Sequence, residues 1–423
     1  MHAYFKAMRN SPFWFILIGL MILLDFYVFQ ALKVVSHSAG SRVRSVIFIF
    51  YWVLSIAALM LFLVLPYINL DNYPRGFRNI IFAVVVSLFF AKLIASVFLF
   101  IDDIRRCVQW LAGKVFFSNT EGEQIQDNDK ISRSVFLSWV GLAAGSGLLG
   151  SLFYGFSNKY NYQVKKIALN FPNLPPSFKN LRIIQISDIH SGSFNDKGAV
   201  KKGIDKVIQL KPDLILFTGD LVNNKANEMD AYMDIFKQLH APLGIFSVLG
   251  NHDYGDYVQW KNNQEKVQNL NLLKKVHADL GWKLLLNENF VISKNDEQIA
   301  VLGVENWSAK ARFPKYGNLQ KAYEGAQSAP FKILLSHDPS HWNAEVVSQF
   351  SDIDLMLAGH THGMQFGVEV PWFKWSPVQY VYNQWAGLYE EAHQKLYVNR
   401  GFGFIGYPGR VGILPEITLI ELT

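Results

Sequence analysis

Five short blocks of the 423-residue chain gather histidine, aspartate, asparagine and glycine, four of them with a histidine. They are Asp188-Ile189-His190, Gly219-Asp220, Gly250-Asn251-His252-Asp253, His337-Asp338 and Gly359-His360-Thr361-His362-Gly363. One histidine or aspartate behind an apolar run is ordinarily a cap or turn residue, but five of the eleven histidines gather at these places. Imidazole, carboxylate and carboxamide without thiolate suit divalent metals such as manganese, iron or zinc, with manganese favoured. The donors are too many for one tetrahedral ion and about enough for two ions sharing a bridge. A bridging carboxylate needs a rigid strand end, and Asp220 is the natural choice. Two divalent metals about 3.5–4 Å apart polarise a phosphoryl group and supply hydroxide at neutral pH for in-line attack. Gly219, Gly250, Gly359 and Gly363 suit tight turns that bring backbone close to such a centre. The set points to phosphoester hydrolysis.

Each block follows a short, mostly apolar run: residues 181–187, 213–218, 244–249, 332–336 and 353–358. Their length and content suit strands buried on both faces. Between the first two runs Val200, Ile204 and Val207 recur at helical spacing, and between the next two Met229, Tyr232, Met233, Phe236 and Leu239 do so. Strand–helix–strand–helix–strand predicts an α/β domain with parallel pairing at its centre, where ligands collect at the carboxyl ends of strands. Pro172, Pro175 and Pro176 make a stiff entry to it.

Upstream the character changes. Half of all residues are hydrophobic and only 17% are charged, against roughly 25% in soluble domains, which excludes a disordered chain. The apolar excess lies in four stretches, residues 12–34, 45–70, 79–101 and 134–158. Each is long enough for a hydrocarbon core that needs about 20 apolar residues. The reading is an N-terminal bundle of four transmembrane helices over residues 1–160 and an α/β domain over residues 161–423. A cleaved signal peptide fits less well, because the first stretch is too long and no small-x-small site follows. The first and third stretches each carry one interior charge, Asp25 and Lys92, at matching depth. They are predicted to pair, the alternative being a Lys92 that reaches outward beside a protonated Asp25. Eight flanking Lys and Arg residues (Lys130 among them) follow the first and third stretches, against seven on the other side that include Lys6 and Arg9. That margin favours an extracytoplasmic catalytic domain under the positive-inside rule. Ser132-Arg133-Ser134-Val135-Phe136-Leu137 also resembles a twin-arginine export signal lacking its second arginine.

Forty Lys and Arg against 34 Asp and Glu leave a net charge of +6, a modest balance that suits anionic surfaces. No dense basic stripe with interleaved aromatics appears in the soluble half, so a nucleic-acid partner is not expected, and no feature specifies a protein partner. The single cysteine, Cys107, excludes an internal disulfide or a thiolate-rich metal site. It lies in the connection between the third and fourth stretches, with no specific role expected.

Taken in order, Asp188-x-His190, Gly219-Asp220-x-x-Asn223, Gly250-Asn251-His252-Asp253, a lone His337 and Gly359-His360-x-His362 resemble the full signature of calcineurin-like metallophosphoesterases. The likeness spans about residue 165 onward. Tyr397-Val-Asn-Arg-Gly-Phe-Gly403 and Pro415-Glu-Ile-Thr418 resemble a subgroup tied to membranes by N-terminal helices. The resemblance implies two mixed β-sheets packed face to face and flanked by helices. It implies one metal held by Asp188, His190, Asp220 and His362, and a second by Asp220, Asn251, His337 and His360. His252 in that pattern faces the substrate and protonates the leaving oxygen or stabilises the transition state. Met364 departs from the subgroup, which usually has a second glycine there; it reshapes the pocket rim and removes no ligand. The expected activity is that of a membrane-anchored, two-metal phosphohydrolase acting on a diester, monoester or pyrophosphate, with a lipid or other amphiphile as a plausible substrate. The alternative is a catalytically silent membrane sensor or scaffold, and the intact donor set with His252 argues against it. A four-helix transporter is disfavoured, since only Asp25 and Lys92 lie mid-membrane.

Four further features carry two readings each. Asn223 orients His252 and contacts substrate, or caps the next helix. Asp253 tunes His252, or forms a turn. Arg410 meets a substrate phosphate, or is a surface residue. The aromatic run 370–385 (VPWFKWSPVQYVYNQW) rests on lipid headgroups near the active-site mouth, or builds a local core. His240, His277, His341 and His393 read as ordinary polar positions.

Overall fold

The computed structural model describes residues 12–68, 73, 75–116 and 133–423. Lys6, Arg9, Lys130, Ser132 and the last two residues of the 45–70 stretch lie outside the described residues. The chain divides into two compact units, Met1–Phe153 and Tyr154–Thr423.

Mostly apolar sequence forms α1 (Pro12–Val35), α2 (Ser41–Val64), α3 (Arg75–Phe116) and α4 (Arg133–Asn158), the last turn of α4 belonging to the second unit. Among the described residues these four helices are long and apolar enough to cross a membrane, where a helix satisfies its own backbone polar groups. Phe15, Ile49, Phe50 and Phe100 point outward, as lipid-facing side chains do. α3 runs well past the apolar stretch: Arg105 pairs with Asp102 at 2.7 Å and Arg106 with Asp102 at 3.3 Å one turn apart. These i,i+3 and i,i+4 pairs sustain the helix, so Arg105, Arg106, Cys107 and Lys114 are helical rather than part of a connection. α4 lies against α3 through small residues; a Cβ at Gly141 or Gly145 would stand 2.9 Å from the Ala95 carbonyl or 2.5 Å from that of Ala91, the close approach that Gly-x-x-x-Gly permits. Lys92 of α3 donates to the Asp25 carboxylate of α1 and, at 2.8 Å, to Ser55 Oγ of α2. The Tyr51 hydroxyl donates to the Asp25 carbonyl at 2.7 Å.

The second unit holds two mixed six-stranded sheets. The first is ordered β1 (Gln163–Leu169), β14 (Glu416–Leu422), β2 (Arg182–Ile186), β3 (Leu214–Phe217), β4 (Ile245–Ser247) and β5 (Lys283–Leu284). Only the β14–β2 pair within it is antiparallel. The second is ordered β12 (Gly387–Glu391), β13 (Gln394–Val398), β9 (Leu355–Ala358), β8 (Lys332–Leu335), β7 (Glu297–Gly303) and β6 (Glu288–Lys294). Alternation with period two explains why the central strands are apolar throughout. Ile183, Leu214 and Leu216 point into the layer between the sheets, against Ile299, Val301, Ile333, Leu335, Leu355 and Leu357. Ile184, Ile215 and Phe217 point outward beneath α5 (Lys197–Gln209), which buries Val200, Ile204 and Val207. On the far side Leu302, Leu334 and Met356 pack against Trp342 and Val346.

One expected helix is absent. Met229, Tyr232, Phe236 and Leu239 are buried as their spacing requires, but the backbone there is a 3₁₀ turn (Ala226–Met229) and a four-residue α6 (Met233–Phe236). Tyr232 between them leaves helical geometry at φ −121°. The segment from β4 to β5 instead supplies the long helix α7 (Asn263–Asp279).

Candidate metal centre

The five blocks meet at the carboxyl ends of β2, β3 and β4 from one sheet and β8 and β9 from the other. Among the described residues they form two donor groups, Asp188–His190–His362 and Asp220–His337–His360, with donor atoms in each within 4.8 Å of one another. Asp220 stands between them: its Oδ2 lies 3.5 Å from His190 Nε2 and 3.2 Å from His337 Nε2. Its Oδ1 accepts from the His252 backbone at 2.8 Å. Asn251 donates through Nδ2 to Tyr257 at 2.8 Å. Asp220 Oδ2 and Asn251 Oδ1 are thus buried acceptors with no hydrogen-bond partner among the described residues. Desolvated acceptors without partners are costly, and cations seated between the two donor groups satisfy both. The residues fit a pair of divalent metals.

Backbone geometry aims the donors. Asp188, His190, Asp220, His360 and His362 all have φ between 48° and 70°, a region that costs an L-residue roughly 1–2 kcal/mol. The surrounding bonds hold them there. Asp253 Oδ2 accepts from Asp220 N at 2.9 Å and Gly250 N at 2.8 Å, and its Oδ1 from Leu221 N at 2.9 Å and Val222 N at 3.2 Å. Asp188 accepts from the His360 backbone at 3.1 and 3.0 Å. Gly219 has φ 97°, and a Cβ there would lie 2.6 Å from Gly250 N and 2.9 Å from His337 Nδ1.

Hydrogen bonds also fix the ring states. His337 Nδ1 lies 2.7 Å from the Thr218 carbonyl, so it carries a proton and turns Nε2 towards Asp220. His360 is reversed: Nδ1 faces His337 at 3.3 Å, and Nε2 lies 2.9 Å from the Tyr382 hydroxyl, which donates to Asp338 Oδ2 at 3.1 Å. A carboxylate behind a ligand histidine sets its tautomer and basicity. His362 Nε2 stands 3.2 Å from Asp188 Oδ1 and 3.0 Å from His190 Nε2.

Burial works against ionisation of Asp188 and Asp220, yet the neighbouring imidazoles hold both carboxyls below their usual range. Burial pushes His190 and His362 down, and His360 to about 4. It acts on His337 too, but the Asp220 carboxylate outweighs it and lifts that ring to about 10. Ionised carboxylates and neutral imidazoles are the states that metal binding requires, so a metal beside Asp220 would have to displace the proton of His337.

His252 belongs to neither donor group. Its Nδ1 lies 2.9 Å from the Asn223 carbonyl, so Nδ1 carries a proton and Nε2 is not engaged by that contact. Asn223 therefore orients His252 through its backbone, while its side chain donates to Ser193 at 3.0 Å and caps no helix, Lys225 holding the cap position. Asp253 does not reach the His252 ring; it stitches the Asp220 and Gly250 turns together. Arg410 is a correction: at 0% exposure it cannot meet a substrate phosphate. Its guanidinium donates to the carbonyls of Arg400 (2.7 Å), His362 (3.3 Å), Gly401 (3.2 Å) and Gly403. It thereby braces the His362 loop from behind, and burial pulls its pKa down to about 9. His277 and His341 are buried rather than ordinary polar positions, each within hydrogen-bond reach of a serine hydroxyl, Ser247 and Ser336.

Sequence reasoning passed over several neighbours of the centre. Tyr382 and Asp338 buttress His360, Phe313 sets its ring edge-on to His360 at 4.9 Å, and Lys310 lies 5.3 Å from the Tyr382 ring. Asp338 was legible as the residue after His337; Tyr382, Phe313 and Lys310 sit in loops without a motif.

A family model described as "Calcineurin-like phosphoesterase" matches residues 181–364, and one described as "Probable Calcineurin-like phosphoesterase, transmembrane domain" matches residues 8–159. "UDP-2,3-diacylglucosamine pyrophosphatase LpxG" of Chlamydia trachomatis is 30% identical over 288 residues, covering 57% of this chain and 83% of that protein. The chain belongs to the calcineurin-like phosphoesterase family. Other relatives include "Transmembrane protein with metallophosphoesterase domain" from Danio rerio, 29% identical over 269 residues, and from Bos taurus, 31% identical over 271. These matches take in 62% and 61% of the chain and 57% and 56% of the relatives. The chain thus spans just over half the length of these first curated relatives. Within that family it combines the two donor groups with, among the described residues, four helices long and apolar enough to cross a membrane.

Proposed function

We propose that the protein is a two-metal phosphohydrolase that cleaves a phosphodiester or pyrophosphate of an amphiphilic substrate. The observation that carries this reading is Asp220 Oδ2, a buried acceptor held between His190 and His337 with no hydrogen-bond partner among the described residues. Asp188, His190, Asp220 and His362 would hold one metal, and Asp220, Asn251, His337 and His360 the other. A divalent pair supplies Lewis acidity at the phosphoryl oxygens and lowers the pKa of water towards neutrality. The chain's own residues do the rest. His252, when both ring nitrogens are protonated, would deliver the Nε2 proton to the departing oxygen and keep its Nδ1 proton on the Asn223 carbonyl. Lys310 and Arg312, near Tyr382, offset phosphate charge at the mouth. The name of the chlamydial relative, a pyrophosphatase on a diacylated sugar nucleotide, supports the amphiphilic class of substrate, as does covalent attachment to membrane helices.

The test is hydrolysis of bis(p-nitrophenyl) phosphate and p-nitrophenyl phosphate by detergent-purified protein, chelated and then supplied with manganese. Metal-restored turnover that disappears in Asp220→Ala is the expected result, and the preferred ester fixes the class. Turnover that survives in Asp220→Ala overturns the assignment.

A further inference from the structure

The hairpin of β10 (Val368–Val370) and β11 (Phe373–Trp375) has its polarity reversed. The register Val368↔Trp375, Glu369↔Lys374, Val370↔Phe373 puts Val368, Val370, Phe373 and Trp375 on one face and Glu369 and Lys374 on the other. A half-buried hairpin ordinarily turns its apolar face inward. Here the charged face is the inner one: Glu369 pairs with Arg400 at 2.7 Å and with Lys165 of β1 at 3.3 Å, and Lys374 donates to the Ala386 carbonyl. On the apolar face Val368, Val370 and Phe373 are exposed and Trp375 is half-buried. Trp372 at the turn is 86% exposed, and Tyr380, whose hydroxyl accepts from Trp375 Nε1 at 3.4 Å, is 77% exposed. The segment's other aromatics are sorted the opposite way, since Tyr382 and Trp385 bury themselves with Val378, Ala386 and Ile413. The local core is therefore complete without the outward set.

The root of the hairpin lies beside the end of α4. Val411 N donates to the Gln365 carbonyl at 2.8 Å, and Gly367 N to the Val411 carbonyl at 2.9 Å. The adjoining Arg410 N donates to the Gly155 carbonyl, in the last turn of α4, at 2.9 Å. A Cβ on Gly155 would come within 2.6 Å of Val411 Cγ2. One extended segment, residues 410–411, is all that separates the hairpin's root from the end of a membrane-spanning helix. Trp and Tyr side chains at that level favour the headgroup boundary.

We infer that the exposed face of this hairpin, with Trp372 at its tip and Tyr380 beside it, docks into the headgroup and upper acyl region of the bilayer that α4 leaves. The docked hairpin presents the metal centre to phosphoesters lying in the membrane plane. The same segment is fastened to the ligand loop: Ser376 Oγ donates to the Gly363 carbonyl at 2.8 Å, Thr361 Oγ1 to the Trp385 carbonyl at 2.6 Å, and Tyr382 contacts His360. The catalytic half of the inference rests on the phosphohydrolase reading; the docking half does not.

The test uses the full chain in phosphatidylcholine vesicles. Trp372→Cys in a Cys107→Ser background, labelled with a nitrobenzoxadiazole dye, is expected to emit at blue-shifted wavelength and to be quenched by lipid brominated high on the acyl chain. Water-like emission quenched by aqueous iodide overturns the inference, as does a disulfide-linked dimer of the unlabelled protein, which would mark a second copy as the occupant. Trp372→Ser/Phe373→Ser is expected to lower kcat/KM for p-nitrophenyl hexadecyl phosphate in vesicles about tenfold, through lost interfacial contact, and to spare p-nitrophenyl methyl phosphate in solution. Equal loss on both esters overturns presentation. Absence of turnover on both in the unaltered chain refutes the phosphohydrolase reading instead, and the dye's emission still decides the docking.

Discussion

Gly219 precedes the bridging Asp220, and replacing it with alanine probes the centre without removing any donor. The new Cβ would stand 2.6 Å from Gly250 N, where ordinary contact begins at 3.4 Å. Because the obstacle is backbone, the turn carrying Asn251 and His252 has to retreat by about 0.8 Å. Misplacing reacting groups by about 1 Å costs on the order of 100-fold in rate, so kcat/KM is expected to fall 30- to 100-fold, roughly 2–3 kcal/mol of transition-state stabilisation. The φ of 97° adds backbone strain of roughly 1–2 kcal/mol, and the thermal midpoint should drop with it. The assay is manganese titration of the chelated protein followed by hydrolysis of bis(p-nitrophenyl) phosphate. Gly198→Ala, in the first turn of α5 with its nearest atom a side-chain oxygen at 3.3 Å, serves as the tolerant control. Activity within twofold of the unaltered protein at the same manganese midpoint would refute the tight-turn argument.

His252→Ala should lower turnover by about 10²–10⁴, the usual worth of a positioned acid, with bound metal unchanged by elemental analysis. Tyr382→Phe cuts the link from His360 to Asp338 and should weaken binding of the second metal about 10- to 100-fold, read by the manganese midpoint. Asp25→Ala and Lys92→Ala should each destabilise the protein in detergent by about 3–5 kcal/mol, as an orphaned buried charge does, and the double variant should lose less than the sum. A double-mutant cycle on unfolding measures this. His277 is fully buried and desolvation pushes it down to about 3. Above pH 6.5 it is neutral whether folded or unfolded, so its contribution is fully present. Between pH 6.5 and 3 the unfolded chain takes up a proton that the native state refuses, and stability falls by about 1.4 kcal/mol per pH unit. His277→Gln should flatten that slope in thermal unfolding between pH 7 and 5.

The strands that carry the ligand blocks were legible because burial on both faces leaves an unbroken apolar run; Leu214–Phe217 and Leu355–Ala358 have no other reading at that length. β1, β6, β12 and β14 were not. β6 and β12 have one exposed face, and β1 and β14 gain meaning only from partners far along the chain. The helical spacing of Met229 to Leu239 reported burial correctly and backbone wrongly, since turns can sort side chains as a helix does. At the centre, donor types and glycine neighbours were visible as motifs. The role of Arg410 was not, because a lone arginine carries no mark of burial, and Tyr382 reaches His360 only through tertiary packing. The run 370–385 divides, with Trp385 in the local core that one of its readings expects and Trp372 exposed outside it.

β14 lies between β1 and β2, so Gln163 at the start of the first strand finds its partner in Glu416. During synthesis at about 5–20 residues per second, the chain between them takes roughly 10–50 seconds to emerge. For that interval β2 has an open edge, and the Glu416 N–H that will bond the Gly401 carbonyl at 3.0 Å, next to the Gly403–Asp188 contact, does not yet exist. Until the last strand is threaded home, the loop that carries Gly401 and Gly403 lacks that bond, and the waiting edge of β2 is expected to be the exposed, association-prone part of the nascent domain.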